Sequence, residues 1–239
     1  MYQENIMENS MANSKIAKTI MFNMAWLLVL FSVIFCQQIS AKNIDDKIQQ
    51  LSDGWAHVNF ELNGDDQEDA FMKLIVQAKM VTSNYPKQAD AWTWSGIIKS
   101  SFSEVSSGLN TLLYAKSAKK DFEQAIALNP KILAGSAYIS LGVLYHKMPG
   151  WPIAFGDDDE AEVLLIKGLE NDPNGKVSNF FYGEFLFDED KYHQAKRHLL
   201  RAKQVPLRVN CLVADKHRQD EVELLLAKVE KKIAQEPRR

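Results

Sequence analysis

The sequence predicts an all-α fold: a stack of helical hairpins closed at its C-terminal end by a capping helix. Three observations carry that reading. A fixed set of small and bulky residues recurs at an offset of 34 residues. Apolar residues near the C-terminus fall at helical spacing. Glycine (11) and proline (7) are too scarce in 239 residues for the many turns of a β-sandwich, while 46% apolar residues supply a core.

In chain order, residues 1–41 stand apart as a signal peptide. Lys15 and Lys18 precede the uncharged apolar run Met24–Phe35, and a polar stretch with small residues leads to Ala41. Cleavage is expected after Ala41, with Met1 or Met11 as the start. An uncleaved signal anchor would want roughly 20 apolar residues, and Asn23 interrupts the run upstream. A lipoprotein tethered at Cys36 would want small residues before the cysteine, where Ile34 and Phe35 are bulky. The expected location is therefore exported, periplasmic or secreted, with membrane contact only through this segment if it stays uncleaved.

Residues 42–239 then form a single helical domain. About residues 67–84 read as a helix with Ala70, Leu74 and Ala78 on one face, the second half of a degenerate hairpin. Next comes Trp92-x3-Gly96, then Ala118-x3-Phe122-x2-Ala125-x4-Pro130. The clearest copy is Tyr138-x2-Leu141-Gly142-x2-Tyr145, followed by Ala161-x3-Leu165-x2-Gly168-x4-Pro173. A further copy has Tyr182-Gly183-x2-Leu186, then Ala195-x3-Leu199-x2-Ala202 and Pro206. Ala161 and Ala195 are 34 apart, as are Leu165 and Leu199. The repeats thus cover about 90–130, 135–173 and 176–206.

Gly142 to Gly183 is 41, which puts an insertion of 7 between the two helices of the middle copy. Gly96 to Ala118 is 22 against 12 for Gly183 to Ala195, so 10 extra residues are expected between the helices of the earlier copy. Ser100, Ser101, Ser103, Ser106, Ser107 and Gly108 fill much of that gap. The small residues let paired helices approach closely, Tyr145, Leu165 and Leu199 fill the space, and each proline stops a second helix. About residues 215–234 make the capping helix, with Val222, Leu225, Val229 and Ile233 inward. Its outer face carries Lys216, Arg218, Glu223, Lys228 and Lys232.

From about residue 90 to 206 this pattern resembles the tetratricopeptide-repeat superfamily. The resemblance implies a superhelical scaffold that binds peptides, proteins or occasionally small molecules in a groove lined by the first helix of each repeat. Carried onto this chain, the groove positions are Thr93 and Ile97, then Ile139, Val143, His146 and Lys147, then Phe180, Glu184 and Phe187. That set lacks the dense cationic clamp for a terminal carboxylate. In outline the chain is also similar to the T component of TRAP-type solute transporters. The implied function is a protein- or peptide-binding adaptor or scaffold in the cell envelope; the alternative is a small-molecule-binding accessory of such a transporter.

A net charge of −3 gives no basic field for nucleic acid. The segment His146–Glu160 holds two prolines, two glycines, Trp151 and Phe155. Its aromatics are expected to tuck against the helices; a ligand lid is the sharper alternative. The run Asp157-Asp158-Asp159-Glu160 lacks the alternate spacing of a Ca²⁺ loop and reads as a helix start, with Asp157 as N-cap. Cys211 is expected to be a small buried hydrophobe. Lys196, Arg197, Arg201, Lys203 and Arg208 read first as solvated helix surface and second as a face for an acidic partner or anionic head groups. His193 and His198 are five apart and share no helix face. No residue pattern predicts a catalytic centre, a metal site or a cofactor, so no enzymatic activity is expected.

Overall fold

The computed structural model describes residues 44–236, so the expected signal peptide and its cleavage point lie outside the described residues. Nine α-helices run through that span: α1 (44–61), α2 (Gly64–Asn84), α3 (Ala89–Val105), α4 (Leu109–Leu128), α5 (Ser136–Lys147), α6 (Asp158–Asn171), α7 (Lys176–Asp188), α8 (Tyr192–Gln204) and α9 (Leu212–Ala234). No strand forms among the described residues, and none of their helices is long and apolar enough to cross a membrane. Of these, residues 48–236 belong to one compact unit. The all-α expectation is met, and the architecture is compatible with a helical-repeat solenoid.

One contact recurs in every hairpin. A Cβ placed on Gly142 would sit 2.8 Å from Leu165 Cγ and 3.1 Å from the Ala161 carbonyl oxygen. On Gly183 it would sit 3.0 Å from Leu199 Cγ, and on Gly96 it would sit 2.5 Å from the Phe122 ring. Gly54 of α1 repeats the arrangement, 3.0 Å from Leu74 on α2. In each case the first helix leaves out a side chain where the second plants a bulky one, and the two backbones close up. The degenerate hairpin read from residues 67–84 thus has its first half in α1.

Each second helix ends in the same way. Leu128, Asn171 and Gln204 are the last residues of α4, α6 and α8, and Pro130, Pro173 and Pro206 follow two residues later. Between α4 and α5 the chain turns through left-handed backbone at Leu133 (φ 47°), Ala134 (φ 55°) and Gly135 (φ 78°). Two of those residues carry a Cβ, a conformation disfavoured by roughly 1–2 kcal/mol each. The Ser136 hydroxyl closes the turn by donating to the Leu133 carbonyl at 2.6 Å.

The 10 extra residues of the earlier repeat do not sit between the helices. They lengthen them: α3 has 17 residues and α4 has 20, against 12 and 14 in α5 and α6. Serines normally compete with helix by bonding to nearby backbone. Here Ser103 donates to the Ser100 carbonyl within the helix, and Ser101 accepts from the Trp55 indole at 2.9 Å. Phe102 anchors the extension, buried against Phe71 and edge-on to Tyr114. Only Ser106–Gly108 remain as the turn.

The odd-numbered helices also pack on one another in series, α3 on α5, α5 on α7 and α7 on α9. They form an inner layer, with the even helices outside. The series brings the two ends of the unit together: Phe60, near the end of α1, stacks on His217 of α9 at 4.5 Å with rings 5° from parallel. Val222 and Val229 of α9 are fully buried in the core that also holds Leu186 and Leu199. Cys211, at the end of the short 3-10 helix Val209–Cys211 before α9, is a free thiol and only half-buried, its neighbours Val209 and Leu212 being exposed.

Gly142→Ala is expected to lower unfolding stability by about 1–3 kcal/mol, because the new methyl meets backbone as well as side chain. Gly183→Ala should cost less, since only the Leu199 side chain stands as close as 3.0 Å. Urea denaturation of both variants checks the ranking; equal losses would mean that the hairpins are not closed by this contact.

Candidate functional site

The inner face begins on α3, where Trp94, Ile97, Ser101 and Glu104 recur at three- to four-residue steps on one side of the helix. Trp55 of α1 lies against Trp94, ring centroids 5.8 Å apart, and edge-on to Phe60 at 5.3 Å. All three rings are half-buried. From the other side, α9 supplies Arg218, whose guanidinium carbon lies 4.4 Å from both the Phe180 and the Phe181 ring centroids. Its nitrogen pairs with Glu221 at 2.7 Å, leaving the side chain 15% exposed. The sequence reading put Arg218 on the solvated outer face of the capping helix. The structure turns it inward, because Phe180 and Phe181 offer a cation–π surface there.

Glu104 stands where these helices meet. It is exposed to water, yet burial raises its pKa, with Glu184 and Glu221 adding to the rise and Lys147 and Arg218 only partly opposing it. The charges around it are otherwise matched: Lys147 pairs with Glu184 at 3.2 Å and Arg218 with Glu221. Glu104 has no ion-pair partner among the described residues.

The positions carried over from the resemblance separate into three groups. Thr93, Ile139 and Phe180 are buried, and the Thr93 hydroxyl donates to the Ala89 carbonyl of its own helix. Ile97, Val143 and Phe187 are half-buried and face the inner layer's packing. Lys147 and Glu184 bind one another, and His146 is a structural brace. Its Nδ1 lies 2.6 Å from Asp158 at the start of α6, and its Nε2 lies 3.0 Å from Asp188 at the end of α7. With a carboxylate at each nitrogen, the ring is best satisfied as imidazolium. Burial lowers its pKa, but the bonds to Asp188 and Asp158 outweigh that and raise it above the usual histidine value.

The insertion between α5 and α6 is a tight hook. The Gly156 amide donates to the Pro149 carbonyl at 2.8 Å, and the Asp157 amide donates to the Tyr145 carbonyl at 3.1 Å. Phe155 tucks in edge-on to Tyr145 at 5.4 Å, under the Lys119 ammonium. Trp151 does not tuck: it is 89% exposed and Ile153 is 64% exposed. The hook spans only a few residues, so its own hydrogen bonds fix one aromatic inward and the other outward. Asp157 caps α6, its side chain accepting from the Glu160 amide at 3.1 Å as the sequence suggested.

Three of the basic residues around α8 are paired on the surface: Lys196 with Glu230 at 2.9 Å, Lys203 with Glu223 at 3.4 Å, and Arg208 with the buried Asp215 at 2.6 Å. Sequence reasoning missed Trp55, Phe60, Trp94, Glu104 and Arg218 as inner-face residues. The available signal was the continuous helical spacing of Trp94, Ser101 and Glu104, hidden by reading the serines as a gap. The chain matches no protein-family model and no curated protein.

Two outcomes follow from the brace and the hook. Because folding raises the His146 pKa, its stabilisation is fully present below the unfolded histidine value and fades as pH rises through the folded one. The stability gap between the native chain and His146→Gln should therefore be larger at about pH 6 than at about pH 8.5. Urea midpoints at both values measure it, and a gap independent of pH would refute the imidazolium brace. In the hook, Phe155→Ala should cost about 2 kcal/mol by lost packing, while Trp151→Ala should change stability by less than about 0.5 kcal/mol.

Proposed function

We propose that this chain is an exported helical-repeat protein of the tetratricopeptide kind that binds a protein or peptide partner on the inner face of its odd-numbered helices. The observation that carries the reading is the convergence on that face of half-buried aromatic rings with an unpaired carboxylate. Packing alone would favour closing such rings off from water. Export is supported by the order of basic flank, apolar run and small residues in 15–41. The tetratricopeptide assignment is supported by the 34-residue offset and by the glycine-to-bulky contact that recurs in each hairpin.

A second reading, a small-molecule-binding accessory of a solute transporter, is favoured by the same rings: Trp55 and Trp94 present area suited to an organic ligand. Native mass spectrometry and a thermal-shift screen separate the two, since only the second requires a retained or stabilising small molecule.

A photo-crosslinking amino acid at Phe187, on the inner layer, is expected to capture one dominant envelope protein. The same group at Leu200, exposed on α8, should capture none. Equal labelling from both positions, or none from either, would remove the support for an inner-face adaptor.

A further inference from the structure

The basic surface where α8 gives way to α9 plays no part in the inner face. From Leu199 to Arg218 the chain carries five basic residues, Arg201, Lys203, Arg208, Lys216 and Arg218, against one acid, Asp215. The whole chain, by contrast, has a net charge of −3. Lys203 pairs with Glu223, Arg208 with Asp215 and Arg218 with Glu221. Arg201 and Lys216 are exposed and pair with no carboxylate among the described residues. Asp215 also fixes the loop between the two helices. Buried in the first turn of α9, it accepts from the Arg208 amide at 2.7 Å, from Nε at 3.1 Å and from Nη2 at 2.6 Å. With Arg208 tied down at backbone and side chain, Leu207 and Val209 on either side of it are left exposed, Val209 to 94%. Leu212 and Val213 continue the exposed apolar surface into α9, and Lys216 follows them at helical spacing. Beside the loop, Asn174, Arg201, Gln204, Val205 and Pro206 line a shallow, open depression. Its guanidinium and two side-chain amides are donors suited to a phosphate oxygen.

We propose that the α8–α9 loop seats on an anionic phospholipid bilayer, with Leu207, Val209, Leu212 and Val213 entering the head-group boundary and Arg201 and Lys216 at the lipid phosphates. Exposed apolar side chains beside unpaired cations match such a boundary, where the one enters below the head groups and the other stays at their level. A free anion would leave the four apolar side chains in water, and an acidic peptide would bring carboxylates against them. A bilayer satisfies both kinds of group. It is also soft, so a side chain that protrudes singly, as Val209 does, needs no matching shape. No helix among the described residues is long and apolar enough to cross the bilayer, so this contact is peripheral. It is separate from residues 1–41 and does not rest on the inner-face reading.

The test uses the full chain with an environment-sensitive fluorescent amino acid in place of Val209, and the same probe in place of Val163, exposed on α6, as control. Vesicles are made of phosphatidylglycerol and phosphatidylcholine in equal parts, or of phosphatidylcholine alone. The probe at 209 should shift to the blue with the anionic vesicles and not with the zwitterionic ones; the control should shift with neither. An apolar N-terminus that enters bilayers brings the chain to both vesicles alike, so the difference between them reads the loop. Arg201→Gln combined with Lys216→Gln should lower the ratio of seated to free loop by roughly thirtyfold, with the unfolding midpoint unchanged. Equal shifts in both vesicles, no shift in either, or a double variant that behaves as the native chain would each overturn the proposal. So would a shift as large with inorganic phosphate, which makes the site one for a free anion. A shift with a blocked glutamate hexapeptide but with no vesicle would overturn it too, in favour of an acidic protein. The comparison of the two vesicles stands even if the double variant fails to fold. Crosslinks from Phe187 test the inner face separately, so either reading can fall without the other.

Discussion

Each hairpin of this chain closes because a glycine on the first helix faces a leucine or phenylalanine on the second. Gly54, Gly96, Gly142 and Gly183 all do this, and in each the missing side chain is what the partner fills. Helices brought this close leave their first members near enough to touch the first members of the next hairpins. That contact, running from α3 through α5 and α7 to α9, gives the unit an inner layer. Without the close approach the hairpins would be wider, and the end of α1 would not reach His217 of α9. The inner face is thus a product of backbone spacing before it is a product of any particular polar residue.

How the chain pays for irregularity elsewhere follows from the same layering. The left-handed turn at Leu133–Gly135 is strained, but Ser136 bonds across it and Gly135 lies against Asn171 with no room for a side chain. His146 ties α6 to α7 from the end of α5, so one imidazolium holds three helices at the edge of the inner layer. The groove positions taken from the family pattern fall largely into this kind of work. Thr93, Ile139, His146 and Phe180 hold the scaffold, so the proposed binding face rests on residues that the pattern does not mark.

Much of the fold was legible because it depends on periodic signals. The offset between Ala161 and Ala195, the prolines two residues beyond each outer helix, and the Asp157 cap are local features that a sequence displays directly. What stayed hidden depended on tertiary context. Ser100, Ser101 and Ser103 read as a gap because serine is a poor helix former, and the Trp55 indole and the buried Phe102 that override this come from packing. Arg218 read as solvated because charge on a terminal helix usually is, and only its placement over Phe180 and Phe181 turns it inward. Trp151 read as tucked because exposed tryptophan is uncommon. The hydrogen bonds that fix the hook leave it outside while Phe155 takes the inner place.

The two hidden features are one. Extending α3 past Ser100 does more than absorb ten residues: it carries Glu104 about three turns beyond Trp94, to where α5, α7 and α9 also present charge. A first helix as short as α5 would end before that point, and Glu104 would not reach the neighbourhood of the pairs Lys147–Glu184 and Arg218–Glu221. The placement of Glu104 therefore arises from helix length, a property that the α3–α4 hairpin shares with α1 and α2 but not with the two later hairpins. Repetition builds the scaffold and its inner layer, and differences in helix length decide which side chains that layer presents.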